Sequence, residues 1–319
     1  MTSVSFVVTF YNKARYVDLV LDAIARQAGI ADAEYIFVDD GSTDDTLERL
    51  ERRRASFPGG RVIHIANAGP SIAANTGLAQ ATKEFIKMVD GDDILHPDAT
   101  RCLANACREK GTDVAFGDLV HYNLDQAQKD GGFRRFSDLA GAAVQRIDDP
   151  LERLVKDWQI NPTQHLFRAE LLPKIGGCDA RVFIQDFSLA LRLAHRSRFA
   201  QVERPTAAVP SGDPSRMTGN EAQILHDINL ATAYFIAERP DLPNRLKRRF
   251  LTRVWGRAWK WASRHSGESV VSSTFRDFAL AEMRLLSPTF GAFERACLPF
   301  RATHPVRIPA RREAGFAAA

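Results

Sequence analysis

The chain has 319 residues, 45% hydrophobic and 26% charged, enough apolar material to bury a sizeable core in one large domain or two. A formal net charge of +4 falls short of a dedicated nucleic-acid binder and suits an anionic small ligand or an anionic membrane surface. The four cysteines, Cys102, Cys107, Cys178 and Cys297, form no CxxC pair, which argues against zinc-ribbon and thioredoxin-like sites and favours a reduced, cytoplasmic setting.

Strand-like sequence begins at Val4 with no charged or apolar leader before it, so no signal peptide is expected. No apolar run of about 18 residues occurs, so no membrane span is expected either. Val4–Thr9 reads as a buried parallel strand, and Tyr16–Gln27 carries Val17, Val20, Leu21 and Ile24 at helical spacing. Tyr35–Val38 is a second strand ending in Asp39-Asp40-Gly41-Ser42-Thr43-Asp44, with Ser42 or Asp44 available to cap a helix over Asp45–Arg54. Val62–Ile65 is a third strand, Ser71–Ala81 a helix, and Phe85–Val89 a fourth strand running into Asp90-Gly91-Asp92-Asp93. This alternation predicts a parallel sheet covered on both faces, with ligands at the carboxyl ends of its strands. The three polar clusters Thr9–Asn12, Asp39–Asp44 and Asp90–Asp93 all follow strands and converge on that crevice.

The middle of the chain is less regular. Asp113–Asn123 and Gly132–Phe136 are read as a hairpin or edge strands around the loop DQAQKDGG. A helix near Pro150–Trp158, a segment Leu166–Pro173, a turn at Gly176-Gly177 and an amphipathic helix over Asp186–His195 follow. Beyond Gly219 the pattern is helical: Ala222–Arg239 and Asn244–His265, separated by Pro240-Asp241-Leu242-Pro243. The second carries Trp255, Trp259 and Trp261 among arginines. Its tryptophans either pack onto the rest of the protein, the favoured reading, or dock on a membrane. A dimer contact is a third use. From Ser287 the chain is rich in Pro, Arg and Ala and is expected to be loosely ordered.

The chemistry starts at Asp90-Gly91-Asp92. Carboxylates crowded in a crevice repel one another unless a cation joins them, and a hard divalent metal binds through one or two carboxylates plus substrate phosphates. An acidic turn capping the next helix is an equally good reading of that segment alone. The Asp39–Asp44 turn suits a ribose or base contact, or a plain Asx-turn with helix cap. Asp186, at a helix start, could take a proton from an acceptor hydroxyl or merely complement the helix dipole.

Taken together and in order, VVTFYNKARYV, VDDGSTDDT, NAGPSIAANTGLAQAT, MVDGDD, LFRAELLPKIGGCD and QDFSLALRLA resemble family 2 glycosyltransferases with a GT-A fold, over roughly residues 4 to 215. The resemblance implies an α/β GT-A nucleotide-sugar-binding fold over residues 1–215, with a C-terminal helical extension and tail over 216–319. Thr9, Phe10 and Tyr11 would then line the nucleotide base, Asp39 would bond its ring, and Asn67 and Gly69 would lie near the nucleotide. Asp90 would touch the ribose or a metal-bound water, with Gly91 letting the backbone approach, and Asp92 would ligate Mn²⁺ or Mg²⁺. Asp186 matches the catalytic base of an inverting displacement.

The implied partners are a nucleotide-sugar donor, UDP-linked by family habit, and a glycan or lipid-linked acceptor. The implied location is the cytoplasm, at the inner face of the plasma membrane if the Trp/Arg-rich helix makes peripheral contact. The chain departs from the family at Ala74, where an arginine is common, and at Gln185, where a glutamate is common. After the last core strand, VPSGDPSRMTGN offers only Arg216 as a basic residue. A degenerate nucleotide-sugar-binding scaffold is the non-catalytic alternative. A nucleotidyltransferase is the other enzymatic one, weakened by the absence of a glycine-rich basic loop in FYNKARY.

Overall fold

A computed structural model describes residues 2–130, 136–157, 160–212 and 219–309. Nine strands form one sheet among them: β1 Thr2–Phe10, β2 Ile30–Asp39, β3 Arg61–His64, β4 Phe85–Asp90, β5 Ile94–Leu95, β6 Val114–Tyr122, β7 Val144–Ile147, β8 His165–Arg168 and β9 Phe199–Pro210. The helices are α1 Val17–Ala25, α2 Thr46–Arg54, α3 Pro70–Leu78, α4 Ala99–Lys110, α5 Leu124–Asp130, α6 Pro150–Asp157, α7 Leu172–Ile175 and α8 Gln185–Arg196. They continue with α9 Glu221–Ala237, α10 Asn244–His265, α11 Ser273–Glu282, α12 Phe290–Arg295 and α13 Leu298–Thr303.

The strand order is β3-β2-β1-β4-β8-β6-β9-β5, with β7 also on β9. The first four strands are parallel, as the βα alternation predicts, and their carboxyl ends are level: Thr9 pairs with Val38 and Asp90, and Phe10 with Asp39. Val4, Phe6, Val7 and Val8 are fully buried, because a parallel strand with helices on both faces has no wet side. Gly77 lets α3 lie against this sheet; a Cβ there would stand 2.5 Å from a Val7 methyl.

The second half of the sheet departs from expectation. β6 is an interior strand, parallel to β9 and antiparallel to β8, not part of a hairpin. The DQAQKD segment is helical, as α5, because Asn123 accepts from the Gln126 amide at its start and Leu124 and Ala127 bury one face. The strand expected from Gly132 lies almost wholly outside the described residues, as do Trp158 and Arg216.

The helical extension is not loosely appended. One apolar cluster runs from Val7, Ile36 and Met88 of the sheet through Leu189 and Phe199 into Phe235, Phe250, Trp255 and Phe293. Trp255 and Trp261 are buried, and Trp259 packs edge-on against Phe275 at 4.9 Å. The tryptophans thus turn inward, as the favoured reading has it. The stretch after Ser287 is ordered through residue 309: Thr289 caps α12, and fully buried Phe293 and Phe300 anchor α12 and α13. Proline and arginine content concealed those two aromatic anchors. Among the described residues, no helix is long and apolar enough to cross a membrane.

Candidate active site

The loops after β1 and β2 are fastened to each other before any ligand arrives. Asn12, with φ of 50°, donates its amide to Ser42 Oγ at 2.9 Å and accepts the Thr43 amide on Oδ1 at 2.8 Å. Lys13 and Ala14 donate their amides to Thr46 Oγ1 and Asp44 Oδ2. Asp44 also accepts the Thr46 amide at 3.0 Å, but the N-cap of α2 is Asp45, which makes no side-chain cap bond, and Ser42 is committed to the first loop, so neither expected residue is the cap itself. Tyr11 at the loop tip is 41% exposed, in contrast to Phe10, which is buried beneath it.

Asp39 ends β2 fully buried. Its Oδ2 accepts from the Ser42 amide and lies 2.7 Å from His64 Nδ1, while its Oδ1 has no hydrogen-bond partner among the described residues. A buried carboxylate oxygen left open in this way suits a donor from a ligand. Asp40 accepts the Ala68 and Gly69 amides at 2.8 and 2.9 Å, fixing the turn that carries Asn67. Burial, joined by the neighbouring Asp39 charge, pushes the Asp40 carboxyl above its usual range against those two amides. Gly69 adopts φ of 94°, and Phe183 packs so closely on it that a Cβ would lie 2.7 Å from the ring.

The turn after β4 is equally tight. Gly91 donates its amide to Thr9 O at 2.9 Å, and a Cβ there would stand 2.6 Å from that oxygen and 2.5 Å from the Phe10 ring. Asp90 receives Gln185 Nε2 on Oδ1 at 3.3 Å and Asn161 Nδ2 on Oδ2 at 3.5 Å. Asp92 is paired with Lys13, whose Nζ lies 2.6 Å from Oδ2. Asp93 accepts from Thr163 Oγ1 at 2.6 Å. Beneath the turn, Lys87 is fully buried and donates to the carbonyls of Thr163 and His165. Burial lowers its pKa to about 7, against the pull of Asp93 and Asp90.

The last component is the corner from Cys178 to Asp186. Asn75 reads both backbone groups of Cys178, donating to its carbonyl at 2.9 Å and accepting its amide at 2.8 Å. Ser71 donates its hydroxyl to Phe183 O at 3.1 Å. Asp227 of α9 accepts the Ile184 amide at 2.8 Å and holds His226 Nδ1 at 2.8 Å, and Arg301 of α13 donates to His226 Nε2 at 2.9 Å. Half-buried Asp186 therefore sits in the first turn of α8 beside Gln185, which touches Asp90. Ala74 of α3 is fully buried in the apolar cluster.

The fold thus brings Thr9, Phe10, Tyr11, Asp39, Gly69, Asp90, Gly91 and Asp92 to one end of the parallel strands, with the Asp186 corner joined to them through Gln185. Asn67 is exposed on the Asp40-bound turn. Sequence reasoning missed Lys13, Asp40, Lys87, Asn161, Thr163 and Asp227. Of these, Lys87 left a readable sign: a lysine inside the apolar strand FIKMV.

A family model described as "Glycosyl transferase family 2" matches residues 5–181. The chain belongs to glycosyl transferase family 2. Among curated relatives, glycosyltransferase GlyG of Streptococcus pneumoniae serotype 4 is 31% identical over 56% of this chain and 61% of its own length. Chondroitin synthase of Escherichia coli is 38% identical over 39% of this chain and 18% of its own. The chain therefore spans less than two-thirds of these relatives.

Two solved structures share the GT-A architecture. Staphylococcus aureus TarS 1–349 in complex with UDP-GlcNAc superposes with a TM-score of 0.59 at 17% identity, covering 94% of this chain and 92% of that one. Mannosyltransferase PcManGT from Pyrobaculum calidifontis, in complex with GDP-Man and Mn²⁺, gives 0.55 at 19% identity, covering 95% and 86%.

Proposed function

We propose that this glycosyltransferase moves a sugar from a nucleoside-diphosphate donor, UDP-linked, to a hydroxyl of a glycan or lipid-linked acceptor, with inversion at the anomeric carbon and Asp186 as general base. The observation that carries this reading is the contact between the two halves of the site: Gln185, next to Asp186, reaches Asp90 at 3.3 Å. The base-bearing corner and the donor turn therefore meet at one place. Named neighbours in complex with UDP-GlcNAc, UDP and GDP-Man, and relatives named as polysaccharide synthases, support the donor and acceptor classes.

In this reading Tyr11 stacks on the base and the open Oδ1 of Asp39 accepts from its ring, which suits the N–H of uracil. Asn67 and the Gly69 turn border the nucleotide, Asp90 contacts the ribose, and Gly91 leaves room for the ligand above the backbone. Asp186 takes the acceptor proton as that oxygen attacks from the face opposite the leaving nucleotide, a role that contributes about 10²–10⁴-fold. Gln185, by holding Asp90, fixes the distance between donor and base. The work is done in the cytoplasm.

Asp92 and Asp90 fit a divalent metal as half a site. They supply hard oxygens, and among the described residues no cluster of three or more ligating side chains completes it, so substrate phosphates would have to. Asp92 would hold Mn²⁺ or Mg²⁺ with Asp90 beside it. Such an ion, when bound, offsets charge on the departing nucleoside diphosphate.

The test is donor binding and hydrolysis across UDP-, GDP-, CMP- and dTDP-sugars, with Mn²⁺, Mg²⁺ or chelator, on wild type, Asp92→Ala and Asp186→Asn. One donor bound with metal, lost in Asp92→Ala and bound but not transferred in Asp186→Asn, supports the reading. No donor bound under any condition overturns it.

A further inference from the structure

The chain after α13 does not simply leave the protein. Gln223, fully buried on α9, accepts the Arg307 amide on Oε1 at 2.6 Å and donates Nε2 to the Arg307 carbonyl at 3.0 Å. A buried side-chain amide thus pairs with both backbone groups of one exposed residue. Asn220 in turn caps α9 by accepting the Gln223 amide at 3.1 Å, so the clip rests on a fixed helix start.

The side chain fixed in this way is a cation over an aromatic ring. The Arg307 guanidinium carbon lies 5.4 Å from the centre of the Phe183 ring, and the same ring packs on the Gly69 turn. Arg307 is exposed, and no carboxylate pairs with it among the described residues. One aromatic side chain is thus shared between an exposed positive charge and the Gly69 turn, and Phe183 is two residues from the Gln185 that touches Asp90.

The electrostatics around it give the charge a use. Asp39, Asp40, Asp90, Asp92, Asp93 and Asp186 surround the site, and their summed field opposes the approach of an anionic substrate. Lys13 is already committed to Asp92, and Lys87 is sealed beneath the turn. A guanidinium presents several donors in a plane that match phosphate oxygens, and a contact with an aromatic ring uses none of those donors.

We propose that Arg307, held by the Gln223 clip, binds the diphosphate of the nucleotide donor, so that the C-terminal strap forms part of the donor site. This rests on the proposed nucleotide-sugar reading of the same site. The strap also explains why a buried glutamine is spent on the backbone of a surface residue: the clip fixes where the guanidinium can reach.

The experiment is calorimetric titration of the wild type, Arg307→Ala and Arg307→Lys with UDP, GDP and the corresponding monophosphates, with Mn²⁺ and at two salt concentrations. Arg307 is a surface residue, so Arg307→Ala is expected to fold, as circular dichroism would verify. The diphosphate bound by wild type should bind Arg307→Ala about tenfold more weakly, the worth of one charge-assisted contact. The monophosphate should change less, Arg307→Lys should recover part of the loss, and salt should weaken wild type more than Arg307→Ala. Gln223→Ala should reproduce the loss in part by freeing the strap.

Equal diphosphate affinity in wild type and Arg307→Ala overturns the proposal while leaving the transferase reading intact, as does a change seen only in acceptor KM. A wild type that binds no nucleotide overturns both.

Discussion

Lys13 Nζ stands 2.6 Å from Asp92 Oδ2, so the carboxylate proposed to hold a divalent metal already holds a cation of the protein's own. The loop that delivers Lys13 is pinned by its amide to Thr46, and its ammonium also lies 5.4 Å from the Tyr16 ring. A metal binding through Asp92 must displace this ammonium or share the carboxylate with it. Lys13→Met should therefore tighten Mn²⁺ binding to the nucleotide-free protein by roughly tenfold, about one charge-assisted hydrogen bond. Asp92→Ala should weaken it. Titration of free Mn²⁺ by electron paramagnetic resonance reads both, and an unchanged affinity in Lys13→Met would show that the ion pair does not compete.

Gly91 separates the two acidic residues because nothing larger fits. A methyl group there meets Thr9 O at 2.6 Å and the Phe10 ring at 2.5 Å, and Thr9 O is also the acceptor of the Gly91 amide. Backbone within a central strand cannot yield easily, so Gly91→Ala should cost about 1–3 kcal/mol by overpacking. It should also raise the turn away from β1 and reduce donor binding. Urea denaturation reads the first effect and nucleotide titration the second. A variant of wild-type stability that still binds donor would mean the turn is looser than its contacts imply.

Much of this site was legible in the sequence because its parts are local. A short apolar run followed by Asp39-Asp40-Gly41 or Asp90-Gly91-Asp92 states both the strand and what stands at its end. α10 is legible to its observed bounds, Asn244–His265, because the breaker Pro240-Asp241-Leu242-Pro243 precedes it. What failed to show was long-range. β6 reads as an edge strand until β9 and β8 are found on its two sides. Lys13 gives no sign of Asp92, 79 residues away. Arg301 and Arg307 lie in a Pro- and Arg-rich stretch whose composition argues for disorder, while Phe293 and Phe300 dock it. Short helices anchored by one aromatic each carry too little periodicity to be read.

The Asp227 carboxylate is one link between the helical extension and the Cys178–Asp186 corner. It accepts the Ile184 amide and the His226 ring, and Arg301 completes the chain from α13. Asp227→Ala leaves buried donors unpaired, with an expected cost of about 1–3 kcal/mol for each. Asp227→Asn keeps an oxygen for the Ile184 amide and should cost less. At a temperature where both variants are folded, kcat should fall, because the start of α8 carries Asp186. Donor affinity should fall less, because Asp227 is bonded to Ile184 and His226 and reaches the β4 turn only through Gln185. A loss of donor affinity equal to the loss of kcat would reduce Asp227 to a general stability role.

Asp179 supplies the acid sensitivity of the same corner. Burial alone would raise its pKa, but the bidentate Arg181 pair at 2.6 and 2.8 Å and Arg192 at 3.2 Å outweigh burial and hold it below the ordinary 3.8. Arg181 and Arg192 continue to Glu238, at the end of α9, so the carboxylate ties the Cys178–Asp186 segment to the extension. A carboxyl with a depressed folded-state pKa stabilises the fold above its unfolded value, and that stabilisation is lost as the pH falls through the folded value. Asp179→Asn should therefore cost about 1–3 kcal/mol at pH 7, where hydrogen bonds to a charged group are at full strength. The gap to wild type should stay level down to about the pH of a free carboxyl and close below it. Urea midpoints for both proteins between neutral and strongly acidic pH measure that gap. One that persists undiminished in acid would mean that Asp179 acts by shape and hydrogen-bond geometry, with its charge contributing little.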